Sequence, residues 1–318
     1  MIRPLVIGGL AALVVAASSF GAPRKAAVRK ALPAPRAVVK ATGPVQSAHR
    51  RDPYVGAIAA DAQTGAVLFE DCADAEAYPA SVTKLMTALL VLEDVKAGKY
   101  ALTDRVTATP EAYYSESSWV GIKAGQSMAV DDLLMSLLVM SANDAAIVLG
   151  VRSAGSLEGF VARMNARARE LGMTKTQYFN PNGLPPNARR RYPWKAFNRT
   201  TARDQLKLAL EAVRHPEIFR YTSSKVAKVT DGNGKPLQML NHNRILRMDK
   251  FHLVNPDGTE AVDGLKTGYI DAGGSSIVIT GKRKGKRAIV VVLGSASSDI
   301  REAQAARLLN DALSTVAW

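Results

Sequence analysis

The chain is poor in cysteine and histidine, and it lacks long apolar runs after its N-terminus. Its 318 residues include one cysteine, Cys72, and four histidines. A single cysteine excludes an internal disulfide, and Cys72 is expected to be a small buried packing residue. No group of histidines, cysteines and carboxylates has the spacing of metal ligands, so neither a metal nor another cofactor is predicted. No later apolar run reaches the roughly 20 residues of a membrane-spanning helix.

Acidic residues are absent from the first 51 positions. Nine of the 42 basic residues precede the first acidic one, Asp52, which leaves 33 basic against 28 acidic residues in the remaining sequence. Most of the formal net charge of +14 therefore comes from the N-terminus. A nucleic-acid surface would need a basic stripe interleaved with aromatic residues. The cluster Arg189–Arg191 is interpreted as a solvated loop, and no nucleic-acid partner is predicted.

The N-terminal segment has the layout of an export signal. The apolar run LVIGGLAALVVAA follows one early arginine, and small residues follow the run. This order predicts a signal peptide over residues 1–22, with an uncleaved anchor as the alternative. Residues 23–51 are rich in Ala, Pro and basic side chains and predict a disordered linker, or a tether to a membrane surface or wall polymer. We expect an exported protein, in the periplasm or cell envelope, with its folded domain over 52–318.

The pattern of apolar residues predicts an α+β fold. Two β-rich runs flank Gln63-Thr64-Gly65 and predict a hairpin. Helical spacing follows in four segments: PASVTKLMTALL, VDDLLMSLLVM, FVARMNARARELGM and TTARDQLKLALEAV. A second hairpin, GGSSIVITGKRKGKRAIVVVLGSA, and a final amphipathic helix close the chain. We expect the first and last strands to pair in one antiparallel sheet that helices cover.

A polar pair stands at the front of the first predicted helix. Ser81 and Lys84 are three positions apart and therefore share one helix face. A serine hydroxyl becomes a good nucleophile when a neighbouring base takes its proton. Lysine can be that base when desolvation or nearby positive charge lowers its pKa. The S-x-x-K pattern alone fits equally well a helix cap with a solvated lysine.

Two further motifs favour the catalytic interpretation. Ser141-Ala142-Asn143 follows an apolar helix, and Lys266-Thr267-Gly268 precedes the last hairpin. Each of the three patterns occurs once, in the order S-x-x-K, S-x-N, K-T-G, separated by 60 and 125 positions. This trio is the signature of penicillin-binding proteins and class A β-lactamases. An E-x-x-L-N pattern is absent between the last two motifs, which argues against a class A β-lactamase.

From about Tyr54 onward the sequence resembles the low-molecular-mass penicillin-binding proteins, the serine D-alanyl-D-alanine carboxypeptidases of peptidase family S11. Besides the trio, the resemblance rests on four stretches: SSWVGIKAGQSMAVDDLLMSLLVMSANDAA, YFNPNGL with TTARD, NHNRIL, and Arg301-Glu302-Ala303. It implies a β-lactamase/transpeptidase-like fold, in which helices cover an antiparallel sheet and an all-helical subdomain is present.

The resemblance also implies a role for each catalytic residue. Ser81 would be the acylated nucleophile and Lys84 its general base. Ser141 would relay a proton to the leaving amine. Asn143 would hold the substrate amide and the lysine. Lys266 would supply positive potential, keep Lys84 neutral and assist Ser141.

Substrate binding is expected along the K-T-G strand. Lys266 and Thr267 would engage the substrate, with Thr267 bound to its terminal carboxylate. Gly268 would let the substrate lie against the strand edge. The backbone N–H groups of Tyr269 and Ser81 would form the oxyanion hole.

The resemblance implies an enzyme that removes the terminal D-alanine from peptidoglycan stem peptides through an acyl-enzyme. Stem peptides and β-lactam antibiotics would then be its partners, with penicillin as an inhibitor. Ile270 and Ala296 stand where many carboxypeptidases carry Thr and some relatives carry Arg. An endopeptidase that cuts D-alanyl cross-links therefore stays open as an alternative. A non-catalytic wall-binding or β-lactam-sensing domain is the second alternative.

Overall fold

The structure is a computed structural model, and it describes most of the predicted folded domain. The described residues are 45–47, 50–112, 118–186, 195–251 and 253–316. All of them belong to one compact unit that begins at Pro35. The predicted signal peptide, most of the predicted linker and the Arg189–Arg191 cluster lie outside the described residues.

The two predicted hairpins and the predicted helices are observed, and the structure adds several short strands and one short helix that the apolar patterns did not predict. The strands are β1 Val45–Ser47, β2 Arg50–Arg51, β3 Gly56–Asp61, β4 Val67–Asp71, β5 Arg105–Thr107, β6 Ser127–Ala129, β7 Val226–Thr230, β8 Pro236–Leu240, β9 Val262–Ile270, β10 Gly274–Arg283 and β11 Lys286–Ser295. The helices are α1 Lys84–Lys96, α2 Val130–Val139, α3 Asn143–Ala154, α4 Leu157–Glu170, α5 Ala202–Ala212, α6 Ile218–Thr222 and α7 Ser298–Val316.

One seven-stranded sheet organises these elements. Its main path is β1-β2-β11-β10-β9, and β3 pairs with β11 and β4. The pairing of β3 with β11 is antiparallel, with Ile58 opposite Val291, which confirms the predicted pairing of the first and last strands. The pairing of β2 with β11 is parallel. Two further hairpins, β5-β6 and β7-β8, stand outside this sheet.

The central strands are apolar on both faces because helices cover both. In β3, Ala57 and Ala59 contact the apolar cluster that contains α7. Their neighbours Ile58 and Ala60 join the cluster formed with α1 to α5. Successive strand residues point to opposite faces, so a strand buried on both faces shows an unbroken apolar run. The predicted α+β class, with an antiparallel sheet covered by helices, is confirmed.

The predicted helix and turn signals are also observed. The Thr201 hydroxyl accepts a hydrogen bond from the Asp204 amide at 3.2 Å and caps α5. The turn between β10 and β11 is Lys284-Gly285, in which both residues have positive φ, as a type I′ hairpin turn requires. Taken singly, none of the described helices is long and apolar enough to cross a membrane, although α3 and α4 would satisfy that test together as a pair bent by 84°.

Two details differ from the sequence predictions. The end of the predicted linker contributes β1 and β2, and the Arg50 guanidinium donates to the Ala296 carbonyl at 2.6 Å. Strand β2 pairs with the C-terminal end of β11. The composition of residues 23–51 does not indicate this pairing. Cys72 is exposed, so the prediction of a buried cysteine is wrong. It directly follows β4 with a left-handed φ of 46°, where the chain leaves the sheet.

Candidate active site

The turn that carries Ser81 is held between two glycines. It is a short 3-10 helix, Ala80–Thr83, that starts at a left-handed Ala80 and leads directly into α1. A Cβ atom added to Gly183 would lie 1.8 Å from the Ala80 carbonyl oxygen. One added to Gly268 would lie 2.9 Å from the Ser81 nitrogen. Both distances are too short for a side chain, so glycine at these two positions fixes the backbone of the Ser81 turn.

Lys84 is fully buried beneath this turn. Its Nζ atom lies 2.7 Å from Ser81 Oγ, 2.8 Å from Asn143 Oδ1 and 2.9 Å from the Asn182 carbonyl oxygen. The first distance confirms the geometric prediction that the lysine reaches the serine hydroxyl. The second distance joins two sequence motifs that are 59 positions apart.

The surroundings of Lys84 favour its neutral amine. Burial is the largest cause that holds the pKa of Lys84 well below its ordinary value, and the positive charge of Lys266 acts in the same direction. Asp144 opposes them. A buried amine with no carboxylate in direct contact avoids the desolvation penalty by losing its proton. Lys84 can therefore accept a proton from Ser81.

The S-x-N motif forms the tight corner between α2 and α3. Ser141 has a left-handed φ of 66°, and its buried hydroxyl has no hydrogen-bond partner among the described residues. The backbone N–H of Asn143 donates to the Ser118 carbonyl at 2.8 Å. A buried hydroxyl without a partner, on a strained backbone, lowers stability, and such features are concentrated at functional sites. This corner thus presents one hydroxyl and one amide side chain in the site.

Asp144 fixes the loop beside this corner. Its carboxylate accepts the backbone N–H groups of Val120, Gly121 and Ile122 at 3.0, 2.8 and 3.2 Å. Burial raises the pKa of Asp144 above its ordinary value, and these backbone donors oppose the rise. Asp144 therefore orders the segment after Ser118, while Ser117 lies outside the described residues.

The K-T-G motif lies on β9 and supplies a second buried amine. Lys266 is 1% exposed, and its amine donates to the Thr267 carbonyl at 2.9 Å. Burial, with the positive charge of Arg301, lowers the pKa of Lys266 to about 7. Arg301 donates to the Gly268 carbonyl at 3.3 Å and pairs with Glu302 inside the protein. The Arg301-Glu302 pair noted in the sequence therefore lies behind the K-T-G strand.

β9 is an edge strand, since its strand partner among the described residues is β10 alone. An exposed strand edge can bind an extended peptide through its backbone groups. Thr267 is 6% and Tyr269 is 52% exposed, and the Tyr269 hydroxyl donates to Asp271 at 2.6 Å. A Cβ atom at Gly268 would meet the Ser81 turn, which is a second reason for glycine at this position, and the predicted approach of a substrate stays a prediction.

The structure brings the three motifs together. Ser81, Lys84 and Asn143 share direct hydrogen bonds, Lys266 acts on Lys84 through its charge, and Ser141 lies two residues before Asn143. The Asn182 carbonyl was not predicted as part of the site, although the YFNPNGL segment that contains it contributes to the family resemblance.

His242 belongs to the NHNRIL stretch. Its side chain is exposed, but it lies close enough to Lys266 and Lys84 for their charges to affect its pKa. Desolvation, followed by the positive charges of Lys266 and Lys84, lowers the pKa of His242 to about 4. The imidazole is therefore neutral at physiological pH and adds no positive charge to the site.

One group of potential metal ligands exists among the described residues. Side-chain ligand atoms of Glu93, Glu211 and His215 all lie within 4.8 Å of one another. The Arg167 guanidinium contacts both carboxylates at 2.8 Å and offsets part of their negative charge. This group includes no residue of the three motifs, and the predicted absence of a metal stays a prediction.

Comparisons of the sequence with known proteins give consistent results. The sequence profile of the family described as D-alanyl-D-alanine carboxypeptidase matches residues 50–297. The carboxypeptidase DacF of Bacillus subtilis is 30% identical over 81% of this chain and 61% of its own length. The carboxypeptidase DacC of Escherichia coli is 33% identical over 78% of this chain and 58% of its own length. The chain thus spans about three fifths of these two relatives.

A D-alanyl-D-alanine endopeptidase of Escherichia coli is 26% identical over 86% of this chain and 82% of its own length. Its match therefore extends over more of the relative than the carboxypeptidase matches do.

Solved structures give the same fold. The carboxypeptidase DacD of Francisella tularensis matches 85% of this chain and 72% of its own, with a TM-score of 0.71 and 27% identity. Penicillin-binding protein D2 of Listeria monocytogenes, solved with ampicillin bound, matches 82% of this chain and 97% of its own, with a TM-score of 0.67 and 29% identity. The predicted β-lactamase/transpeptidase-like fold is confirmed. The chain belongs to peptidase family S11, the D-alanyl-D-alanine carboxypeptidase family.

Proposed function

We propose that this protein is a serine D-Ala-D-Ala carboxypeptidase that removes the terminal D-alanine from peptidoglycan stem peptides. The observation that carries this proposal is the buried Lys84 amine, hydrogen-bonded to both Ser81 Oγ and Asn143 Oδ1. A serine beside a neutral amine can form an ester with an acyl donor. Family membership supports D-alanyl-D-alanine termini as the donor.

Acylation follows from this arrangement. Lys84 takes the proton of Ser81 as Oγ attacks the carbonyl of the penultimate D-alanine. The backbone N–H groups of Ser81 and Tyr269 stabilise the negative oxygen of the tetrahedral intermediate. The C–N bond then breaks, and Ser141 donates its proton to the departing amine and takes up the proton held by Lys84, which leaves Lys84 neutral again. The products are a Ser81 ester and free D-alanine.

Deacylation repeats the same chemistry with water. Lys84 removes a proton from a water molecule that attacks the ester, and Ser81 recovers its proton. Before acylation, Lys266 and Thr267 hold the terminal carboxylate of the substrate, which leaves with D-alanine, and Asn143 holds the substrate amide. Penicillin mimics the D-Ala-D-Ala end, so the same serine is expected to open its β-lactam ring.

The product assay tests this activity. Wild-type protein is incubated with a stem pentapeptide that ends in D-Ala-D-Ala, and released D-alanine and tetrapeptide are quantified. We expect one D-alanine for each tetrapeptide, and no release by Ser81→Ala. A wild-type protein that binds the pentapeptide but releases no D-alanine would support the non-catalytic alternative and contradict the proposal.

A second candidate is a D-alanyl-D-alanine endopeptidase. The observation in its favour is the Escherichia coli endopeptidase, because 82% of that relative is covered, against 61% of DacF. The same five catalytic side chains would serve both reactions. A cross-linked muropeptide dimer in the same assay separates them, since an endopeptidase converts the dimer to monomers and releases no free D-alanine.

The two lysines predict a bell-shaped pH profile. Acylation needs a neutral Lys84 and a positive Lys266, so its rate rises as Lys84 loses its proton and falls as Lys266 loses its own. Since the pKa of Lys266 is lowered to about 7, we expect the second-order rate constant for penicillin acylation, which reports on the free enzyme, to fall above about pH 7. Lys266→Arg should move only this falling limb to higher pH, because a guanidinium stays charged. An unchanged falling limb in Lys266→Arg would rule out this assignment.

We further propose that the protein acts outside the cytoplasm, in the periplasm or cell envelope. The apolar run before residue 22 and its flanking small residues support a signal peptide, and the basic residues that follow support attraction to an anionic membrane surface. N-terminal sequencing of the exported protein tests cleavage near Ala22. A protein retained in the cytoplasm would contradict this location.

A further inference from the structure

Lys84 must be oriented as well as deprotonated. A neutral amine has two N–H groups and one lone pair, and three groups lie within hydrogen-bonding distance of Nζ: Ser81 Oγ, Asn143 Oδ1 and the Asn182 carbonyl oxygen. Amide and carbonyl oxygens can only accept hydrogen bonds. When both N–H groups point to Asn143 and Asn182, the lone pair points to the hydroxyl of Ser81. The Asn182 carbonyl is therefore one of the two acceptors that orient the lone pair of Lys84 towards Ser81.

The Asn182 carbonyl belongs to a loop that lies outside the strands and helices. Asn180 Oδ1 accepts the Gly183 amide at 2.6 Å, and the Thr87 hydroxyl donates to the Pro181 carbonyl at 2.7 Å. These contacts fix the loop internally and against α1. A backbone carbonyl cannot be removed by substitution, so its importance must be tested through the side chains that position it.

Asn198 is the side chain that joins this loop to the catalytic turn. It is 3% exposed. Its Oδ1 accepts the Phe179 and Asn180 amides at 2.7 and 3.2 Å. Its Nδ2 donates to the Asn180 carbonyl and to Thr83 Oγ1, both at 3.0 Å. Thr83 directly precedes Lys84, so one amide group spans the loop and the start of α1.

We propose that Asn198 is a positioning residue for the general base. It holds the loop so that the Asn182 carbonyl faces Lys84 Nζ, which aims the lone pair at Ser81. The proposal rests on the proposed function, since it assigns Asn198 a part in the acylation of Ser81. None of the three motifs contains Asn198, and it touches neither Ser81 nor Lys84 in the described structure.

Asn165 provides a matched control. Its Oδ1 accepts the Tyr178 amide and its Nδ2 donates to the Tyr178 carbonyl, both at 2.8 Å. Asn165 thus binds the same segment of backbone through the same chemical group. The hydrogen bonds of its side chain go to Tyr178 and to the Val161 carbonyl, and none of them reaches the Ser81 turn.

The experiment compares Asn198→Ala with Asn165→Ala. Acylation by a fluorescent penicillin is measured as a function of pH, and the thermal unfolding midpoint is measured for each variant. We expect Asn198→Ala to be acylated roughly tenfold more slowly or worse, because small displacements of reacting groups are costly. Its rising limb should move to higher pH, since water entering beside the loop relieves the desolvation that lowers the pKa of Lys84. Asn165→Ala should lose comparable stability while its rate and rising limb stay as in wild type.

Thr83→Val removes the same hydrogen bond from its other end and keeps the side-chain shape, so it provides a test even when Asn198→Ala does not fold. We expect slower acylation in Thr83→Val, and less than additive effects when both substitutions are combined. Equal rate losses in Asn198→Ala and Asn165→Ala, with both rising limbs unchanged, would overturn the inference alone, as would a Thr83→Val rate equal to wild type. A wild-type protein that is not acylated by the penicillin would overturn the proposed function and, with it, this inference.

Discussion

Lys84→Met is expected to abolish acylation of a folded protein. Met has a similar length and no basic atom, so Ser81 loses the group that takes its proton. Removal of a general base costs about 10²–10⁴-fold in rate, and we expect the acylation rate of Lys84→Met to fall by this factor. The measurement is the rate of penicillin acylation by intact mass.

Lys84→Met also changes how the stability of the protein depends on pH. Burial lowers the pKa of Lys84 in the folded protein, while in the unfolded chain it is about 10.4. Between these two values the unfolded chain binds more protons, so wild-type stability rises with pH. The cost of burying Lys84 is full below its folded pKa and fades as pH rises towards about 10. Any stability advantage of Lys84→Met should therefore shrink as pH rises.

Lys96→Met is the control for both effects. Lys96 lies on the same helix and is exposed, so its removal should change neither the acylation rate nor the pH dependence of stability. Acylation of Lys84→Met at the wild-type rate would show that another group takes the Ser81 proton.

Ser81→Ala is expected to remove covalent chemistry while it preserves the fold. The substitution deletes one hydroxyl that lies 2.7 Å from Lys84 Nζ, and the loss of one such hydrogen bond costs only about 1 kcal/mol. The loss of a nucleophile costs roughly 10³-fold or more in turnover. Released D-alanine should therefore fall to background while the thermal unfolding midpoint stays near that of wild type.

The main features of the fold follow from apolar spacing. The alternate faces of β3 and the helical stripe of α1 are properties of short segments, and the sequence displays them directly. The pairing of β3 with β11 was also predictable, because both segments read as strands at the two ends of one domain. The strands β1 and β2 were not predictable, because their apolar content is low and their pairing depends on a distant strand.

The side chains of the site were predictable because they belong to short motifs with fixed spacing. Ser81 and Lys84 were recognisable as a pair at helical spacing. Asn143 and Lys266 were assigned to the site because their motifs follow S-x-x-K in the order typical of the family. The contact of Asn143 with Lys84 is the geometric reason why these motifs occur together.

Backbone features of the site were not predictable from side-chain patterns. The left-handed φ of Ala80 and Ser141 is unusual for residues other than glycine, and it is imposed by the surrounding packing. The Asn182 carbonyl belongs to the backbone, and every residue has a backbone carbonyl, so no side-chain pattern marks this one. Asn198 is not marked by any sequence pattern, because its partners Thr83, Phe179 and Asn180 are distant from it along the chain.

The most direct test of the central claim is to locate the covalent adduct of penicillin. Wild-type protein and Ser81→Ala are incubated with benzylpenicillin, and intact mass and peptide mapping identify any modified residue. We predict one penicilloyl group on each wild-type chain, attached to the peptide that contains Ser81, and none on Ser81→Ala. Equal labelling of the two proteins, or an adduct on another residue of the wild type, would contradict the assignment of Ser81 as the nucleophile.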